Sequence, residues 1–354
     1  MTKSFFVKTL LKWDETQNNR LLPWKNEKDP YKIWLSEMIL QQTRVEQGIS
    51  YYHKFLENFP DITALADADD KKVFKLWEGL GYYSRCQNML ETARRIQKEF
   101  DGVFPSNIET IRSLKGIGSY TAAAIASFAF HLPYPVIDGN VKRVLSRFFG
   151  IELPVDSKEG KKIIETLAIQ LIDRKHPAKY NQAIMDFGAT ICKPKNPECI
   201  YCPLNSRCKA FKEGMVKILP KKERSVKERT RFFNFLVISD ENAYLIRQRH
   251  TKDIWRNLYE FPQIESDHLF DEKEVLNLST LKEYFRNKSF ELREISDSFS
   301  QKLTHQKIIG QFIHIKCSGK PLSFMDSKLL TNKEIRQLAF PKIIATYLQK
   351  KSIG

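Results

Sequence analysis

The 354-residue sequence predicts a multidomain protein: an all-α domain over residues 1–212 closing on a four-cysteine loop, a basic linker over 213–231, and a smaller α+β domain over 232–354. Three observations carry this. Apolar residues recur at helical spacing through the first two thirds, with scarcely any strand-like alternation. Four of the six cysteines crowd into 192–208. Beyond them the texture changes to β-branched and aromatic runs bounded by turns. At roughly 150 residues per domain the length suits two domains, each large enough to bury a core without disulfides.

The helices follow in order. Ser4 is placed to cap a first helix carrying Phe5, Phe6, Leu10, Leu11 and Trp13, and Asp29-Pro30 opens a second through Tyr31, Trp34, Leu35, Met38 and Ile39. Amphipathic segments continue over 44–59, 71–80, 84–100, 107–114, 119–130, 140–149, 158–171 and 181–190. Residues 213–231 hold seven Lys/Arg and few large apolar groups, which predicts an exposed linker. Strands are predicted at 232–239, 243–248, 290–295 and 308–316, and helices at 279–286 and 333–350, giving an antiparallel or mixed sheet.

The formal charge of +16 is shared evenly, +8 in residues 1–212 and +8 in 213–354, which favours contact with a polyanion along the whole chain. No apolar run approaches the ~18 residues of a membrane span, and the N-terminus lacks the small-residue cleavage site of a secretory signal. Cys192, Cys199, Cys202 and Cys208 are spaced C-x6-C-x2-C-x5-C, a cluster suited to four thiolates on one metal centre in a reducing compartment. Iron-sulfur and tetrahedral zinc both satisfy four sulfurs. Cys86 and Cys317 read as buried apolar residues.

Leu114-Lys115-Gly116-Ile117-Gly118-Ser119-Tyr120 is a glycine hairpin running into the small-residue helix Thr121-Ala122-Ala123-Ala124. Such a turn aims backbone amides at a phosphate. About twenty residues later come Val136-Ile137-Asp138-Gly139-Asn140-Val141, then Arg143 and Arg147, and then the cysteines.

With Leu22-Pro23-Trp24, Ser36-Glu37-Met38-Ile39-Leu40-Gln41-Gln42-Thr43 and Gly79-Leu80-Gly81-Tyr82-Tyr83-Ser84-Arg85, this set resembles the helix-hairpin-helix DNA glycosylases with a four-cysteine iron-sulfur loop, and within them the MutY family. The likeness spans nearly the whole chain. It implies removal of adenine mispaired with 8-oxoguanine, a [4Fe-4S] cluster on Cys192, Cys199, Cys202 and Cys208, and a Nudix-like C-terminal domain that recognises 8-oxoguanine. The expected partner is double-stranded DNA bearing A:8-oxoguanine or A:G mispairs, engaged by a monomer without membrane contact. Base excision repair in a bacterial cytoplasm is the expected setting.

The residues support that chemistry on their own terms. Cleaving an N-glycosidic bond to adenine needs an acid for the departing base and an anion for the sugar's developing cation. Glu37, in an apolar helix, would be kept protonated near neutral pH and is read as the general acid at adenine N7; Asp138 would stay ionised and steady the cation. Tyr120 stands where bifunctional relatives carry a Schiff-base lysine, so monofunctional glycosylase chemistry is expected. By the same resemblance Gln41, Gln42 and Tyr82 meet the lesion pair after base flipping, while Arg20, Trp24 and Gln182 lie near the extruded adenine. Asn140 would position water or sugar. Lys115, the Gly116 and Gly118 amides and Arg143 are expected on phosphates. Lys25 replaces the family's usual arginine.

In the C-terminal region Asn257-Leu258-Tyr259-Glu260-Phe261-Pro262 resembles the family's tryptophan-containing stretch, but no glutamate-rich Nudix metal box follows, which argues against hydrolase chemistry there. The family's Phe-Ser-His loop appears as Leu303-Thr304-His305, keeping a hydroxyl and an imidazole and losing the aromatic. Competing readings are an endonuclease III-like lyase, opposed by Tyr120 and the second domain, and a non-catalytic DNA-binding protein, opposed by the intact Glu37 and Asp138. A zinc module is the weakest.

Overall fold

The computed structural model describes residues 2–223, 228–240, 243–285, 290–317 and 324–353. The chain forms two compact units, Met1–Asp67 with Asn88–Ser225, and Ala68–Gln87 with Val226–Gly354. Among the described residues no helix is long and apolar enough to cross a membrane.

The first unit holds α1 (Thr2–Gln17), α2 (Pro30–Leu40), α3 (Val45–Asn58) and α4 (Ile62–Ala66). After α5 (Asp70–Trp77) and the start of α6 (Tyr83–Phe100), it continues with α7 (Ile108–Ser113), α8 (Ser119–Phe128), α9 (Gly139–Phe149), α10 (Lys158–Leu171), α11 (Pro177–Thr190) and α12 (Lys209–Lys212). The ends follow from capping chemistry: Asp29 accepts the Tyr31 amide ahead of Pro30, and Asp61, Asn107 and Ser157 do the same for α4, α7 and α10. Ser4 is not a cap; α1 already starts at Thr2, leaving Ser4 in its first turn. Phe6, Leu10 and Trp13 of α1 share a core with Val144, Leu145 and Phe148 of α9 and Ile184 and Phe187 of α11. The small residues of α8 are wholly buried, which lets α2 come close.

In the second unit two long strands, β1 (Arg229–Asp240) and β7 (Gln306–Cys317), lie parallel at the centre of a mixed sheet. Antiparallel partners surround them: β2 (Ala243–Gln248), β4 (Gln263–Ser266), β5 (Phe290–Ile295) and β6 (Phe299–Lys302), with β3 (Tyr259–Glu260) and β8 (Lys328–Thr331) on β2. Strands β3, β4, β6 and β8 have at most four residues each, too few for alternation to signal them. Helices α13 (Glu272–Asn277) and α14 (Ser279–Tyr284) cover one core, where Val275 and Leu281 meet Leu236, Ile238 and Ile313. The single helix expected over 333–350 is two, α15 (Asn332–Ile335) and α16 (Lys342–Lys350), because Pro341 lacks an amide donor and disfavours helix at Phe340.

Two boundaries differ from the sequence-based expectation. Residues 68–87 pack with the second unit: Lys75 Nζ reaches the Leu338 carbonyl at 2.9 Å, Glu78 Oε1 accepts the Phe340 amide at 2.9 Å, and the Tyr83 hydroxyl donates to the Phe340 carbonyl at 3.1 Å. The stretch expected to be an exposed linker is pinned at 219–221, where Leu219 is buried, its carbonyl accepts Arg147 Nε at 2.9 Å, and the Lys221 carbonyl accepts the Val155 amide at 3.0 Å.

Phe312 stacks on Tyr347 at 3.6 Å and on Phe235 at 5.0 Å with no exposure of its own. Phe312→Ala should cost about 3–5 kcal/mol, read as an earlier denaturant midpoint of the second unit by near-ultraviolet dichroism.

Candidate active site

One cavity of roughly 690 Å³ in the first unit gathers Glu37, Tyr120, Asp138, Asn140, Arg20, Trp24 and Gln182. Seven residues singled out from widely separated stretches therefore share one space. Glu37 projects from α2, Tyr120 from the first turn of α8, and Asp138 and Asn140 from the start of α9.

Burial removes water from Glu37, which is 7% exposed, and lifts its carboxyl to about 7. The Tyr120 hydroxyl hydrogen-bonds to it and opposes the rise; the charge of Asp138 adds to it. Tyr120, buried beside both carboxylates, is held well above the usual phenol range and stays a neutral donor. Asp138 caps α9, accepting the Val141 amide at 2.7 Å and Asn140 Nδ2 at 2.7 Å. Burial raises the Asp138 carboxyl, and those hydrogen bonds and Arg143 hold the rise in check.

Arg143, expected on a phosphate, directs its donors to groups within the chain. It is 8% exposed, with Nε on the Cys192 carbonyl and Nη2 on the Gly188 carbonyl and Asn140 Oδ1, each at 2.7 Å. A chain of hydrogen bonds thus runs from the cysteine loop through Arg143 and Asn140 to Asp138. Gly188 permits it, since a Cβ there would meet the Asn140 Cβ at 2.6 Å. Arg147, one turn further on α9, gives Nη1 to the Lys193 carbonyl at 2.7 Å and lies 3.5 Å from Cys192 Sγ.

Sequence reasoning missed Asp186. Wholly buried on α11, it accepts Arg20 Nη1 at 2.8 Å, Asn18 Nδ2 at 2.9 Å and Gln182 Nε2 at 3.0 Å, and pairs with Lys25 at 3.2 Å. It therefore sets the Arg20, Lys25 and Gln182 side of the cavity. A carboxylate between Ile184 and Phe187 on a buried helix face was the available signal. Lys25, noted only as a departure from the family's arginine, lines the cavity too.

The other expected DNA contacts lie outside this cavity. Lys115 is exposed and paired with Glu91; Gly116 has φ +77°, and a Cβ on it would meet the Asn88 Cβ at 2.7 Å, so only glycine fits the hairpin. Gly118 stands at the N-cap of α8. Gln41 ends α2 with Nε2 3.4 Å from Thr121 Oγ1, and Gln42 is exposed at φ +58°. In the second unit Tyr82, at φ +47°, carries the Arg85 guanidinium on its ring, and its hydroxyl is 2.7 Å from Thr304 Oγ1. His305 is exposed beside it.

Cys192, Cys199, Cys202 and Cys208 are partly buried free thiols, three of them against the α1, α9 and α11 core. Burial foremost, with the neighbouring thiols adding, raises Cys202 to about 12 and Cys199 and Cys208 above the ordinary range. Among the described residues no three His, Cys, Asp or Glu side chains converge closely enough to hold a single metal ion.

Fold and cavity define a helix-hairpin-helix glycosylase: residues 35–169 match the family described as HhH-GPD superfamily base excision DNA repair protein, and residues 234–350 match the NUDIX domain. The chain is 38% identical over 265 residues to the adenine DNA glycosylase of Buchnera aphidicola subsp. Baizongia pistaciae, covering 74% of this chain and 75% of that protein. It is 41% identical over 214 residues to the adenine DNA glycosylase of Homo sapiens, covering 58% and 39%. A solved thermostable thymine-DNA glycosylase superposes with a TM-score of 0.56 at 28% identity, over 60% of this chain and 97% of that one. The chain belongs to the adenine DNA glycosylase (MutY) family. It is a base excision repair enzyme that hydrolyses N-glycosidic bonds.

Two outcomes follow. Because folding favours neutral Glu37, its contribution to stability is full below about pH 4.5 and is lost as pH rises through about 7. Glu37→Gln should therefore be more stable than the native protein at pH 8 by about 3 kcal/mol in urea unfolding, while the native single-turnover rate declines above pH 7. Asp186→Ala leaves Arg20 and Lys25 without their shared carboxylate and should cost about 3–5 kcal/mol of stability, read as a lower urea midpoint.

Proposed function

We propose that the chain excises adenine mispaired with 8-oxoguanine, or with guanine, from double-stranded DNA, as a monofunctional glycosylase. Family membership supports the base, and one observation carries the chemistry: a buried and a half-buried carboxylate in one cavity, the buried one raised to about neutrality and bonded to a tyrosine hydroxyl. The flipped adenine enters between Trp24 and the Arg20 and Gln182 wall. Neutral Glu37 gives its proton to adenine N7, and the C1′–N9 bond breaks with its electron pair leaving on the base. Asp138, held by Asn140 and the α9 amide, steadies the oxocarbenium ion. Water adds to C1′ and its surplus proton returns to Glu37, leaving an abasic sugar and a regenerated acid. Tyr120 cannot form an imine, so no strand-cleaving lyase step accompanies hydrolysis.

The glycosylase chemistry is assigned to residues 1–212 and lesion recognition to the Nudix-like 232–354, with Thr304 and His305 facing the oxidised base and Tyr82, Gln41 and Gln42 filling the vacated stack. Lys115 and the Gly116 and Gly118 amides grip phosphates. Cys192, Cys199, Cys202 and Cys208 would hold a [4Fe-4S] cluster: four free thiols near enough to raise one another, in the C-x6-C-x2-C-x5-C spacing that resembles the family's iron-sulfur loop. The four thiolates would tie the loop to such a cluster, and Arg143 and Arg147 anchor that loop to α9.

A single-turnover assay on a duplex with one adenine opposite 8-oxoguanine tests the reading. Strand breaks should appear only after alkali, and Glu37→Gln should slow them at least ~100-fold. Breaks without alkali would establish lyase chemistry instead. Purified protein should be brown, with about four irons per chain by colorimetric assay.

A further inference from the structure

The turn carrying Thr304 and His305 is short and exposed, and its own backbone holds it by a single bond across its ends, Leu303 N to the Gln306 carbonyl at 2.8 Å. It joins β6 to β7, where Lys302 pairs with Lys307. Its C-terminal side is tied to β1: the Arg229 amide donates to the His305 carbonyl at 3.1 Å. Two residues along β1, on the same face, stands Arg231.

Arg231 is 9% exposed and its donors are all engaged. Nε and Nη2 grip both oxygens of Glu265 at 2.7 and 2.6 Å; Nη1 and Nη2 reach both oxygens of Asp253 at 3.1 and 2.7 Å. Nη1 also donates to Gln306 Oε1 at 3.1 Å. The guanidinium lies over the Phe233 ring, 4.9 Å from its centroid. Asp253 is shared with Arg249, which pairs with Glu260, itself 1% exposed and also paired with Arg247. Three arginines and three carboxylates thus interlock in one partly desolvated cluster, with Arg229 4.0 Å from Glu265 at its edge, and the Gln306 side chain links Arg231 to the turn.

We propose that Arg231 is the positioning residue of the Leu303–Gln306 turn, and that through Gln306 it sets how well the enzyme distinguishes 8-oxoguanine from guanine opposite adenine. This rests on the reading that the turn meets the oxidised base. 8-Oxoguanine differs from guanine by an N7 hydrogen and a C8 carbonyl. A hydroxyl and an imidazole can pair with that edge only if held within a few tenths of an ångström, since hydrogen bonds weaken steeply with distance and angle. Thr304 is held from one side by the Tyr82 hydroxyl, and the turn is held from the other by Arg231. Lysine would keep the charge and lose the planar fork that spans Asp253, Glu265 and Gln306 at once.

The test uses the full-length protein and two duplexes, A:8-oxoguanine and A:G, in single-turnover reactions across enzyme concentration. Arg231→Lys and Gln306→Ala should each raise the half-saturating concentration for the 8-oxoguanine duplex about five- to tenfold. The saturating rate and the A:G reaction should stay within error for both variants, and the thermal midpoint for Gln306→Ala; Arg231→Lys, which loses buried hydrogen bonds, should melt earlier. Gln306→Ala leaves the ion cluster intact, so it decides the matter if Arg231→Lys fails to fold. Folded variants that keep the native ratio between the duplexes, or that lose equally on both, overturn the proposal. Thr304→Ala separates the two levels: if it lowers the ratio while the Arg231 and Gln306 variants do not, positioning fails alone. If Thr304→Ala keeps the native ratio, the reading of the turn itself is overturned.

Discussion

Desolvation of two carboxylates in one cavity is the constraint on which the catalytic unit depends. A carboxyl in an apolar helix such as α2 shifts toward its neutral form, and Glu37 responds by titrating near neutrality. That response comes from burial, is strengthened by the charge of Asp138 and is moderated by the Tyr120 hydroxyl. The same burial that makes Glu37 a usable acid would leave Asp138 without solvation for its charge. The amide of Val141, the amide group of Asn140 and the nearby guanidinium of Arg143 supply what water cannot.

Much of the basic excess near this site is turned inward. Arg143 and Arg147 bind backbone carbonyls of the cysteine loop and its approach, and Arg20 and Lys25 converge on Asp186. These cations hold backbone and carboxylate groups in place, while Lys115 stays at the surface, paired with Glu91. A buried guanidinium with several carbonyl acceptors is a rigid bracket, because losing any acceptor would leave a charge without a partner in a poor solvent. The cysteine loop and Asp138 are thereby joined through one helix.

The second unit solves a different problem. Its central parallel pair, β1 and β7, gives a stiff frame, and the β6–β7 turn projects from one end of it. Residues 68–87 complete that unit, bringing Tyr82 beside Thr304. The ion-pair cluster around Arg231 reaches the opposite side of the turn through Gln306. Rigidity at an exposed tip is bought here with buried ion pairs more than with apolar packing.

The sequence by itself determined the helical class of the first unit, the mixed sheet of the second, the glycine hairpin and most of the cavity residues, because those depend on local periodicity, on positive-φ glycine and on chemical type. Glu37, Tyr120, Asp138, Asn140, Arg20, Trp24 and Gln182 were legible as types at the right places, partly through a family resemblance. Tertiary packing alone brings Arg143 onto the carbonyls of Cys192 and Gly188, makes Asp186 the organiser of the cavity wall, and joins residues 68–87 to the C-terminal unit. It also broke the last predicted helix at Pro341 and drew residues 219–221 onto the first unit. The physical reason is common to these cases: whether an ionisable side chain faces water or a set of buried carbonyls depends on what other segments bring to it, and that information is not local in the chain.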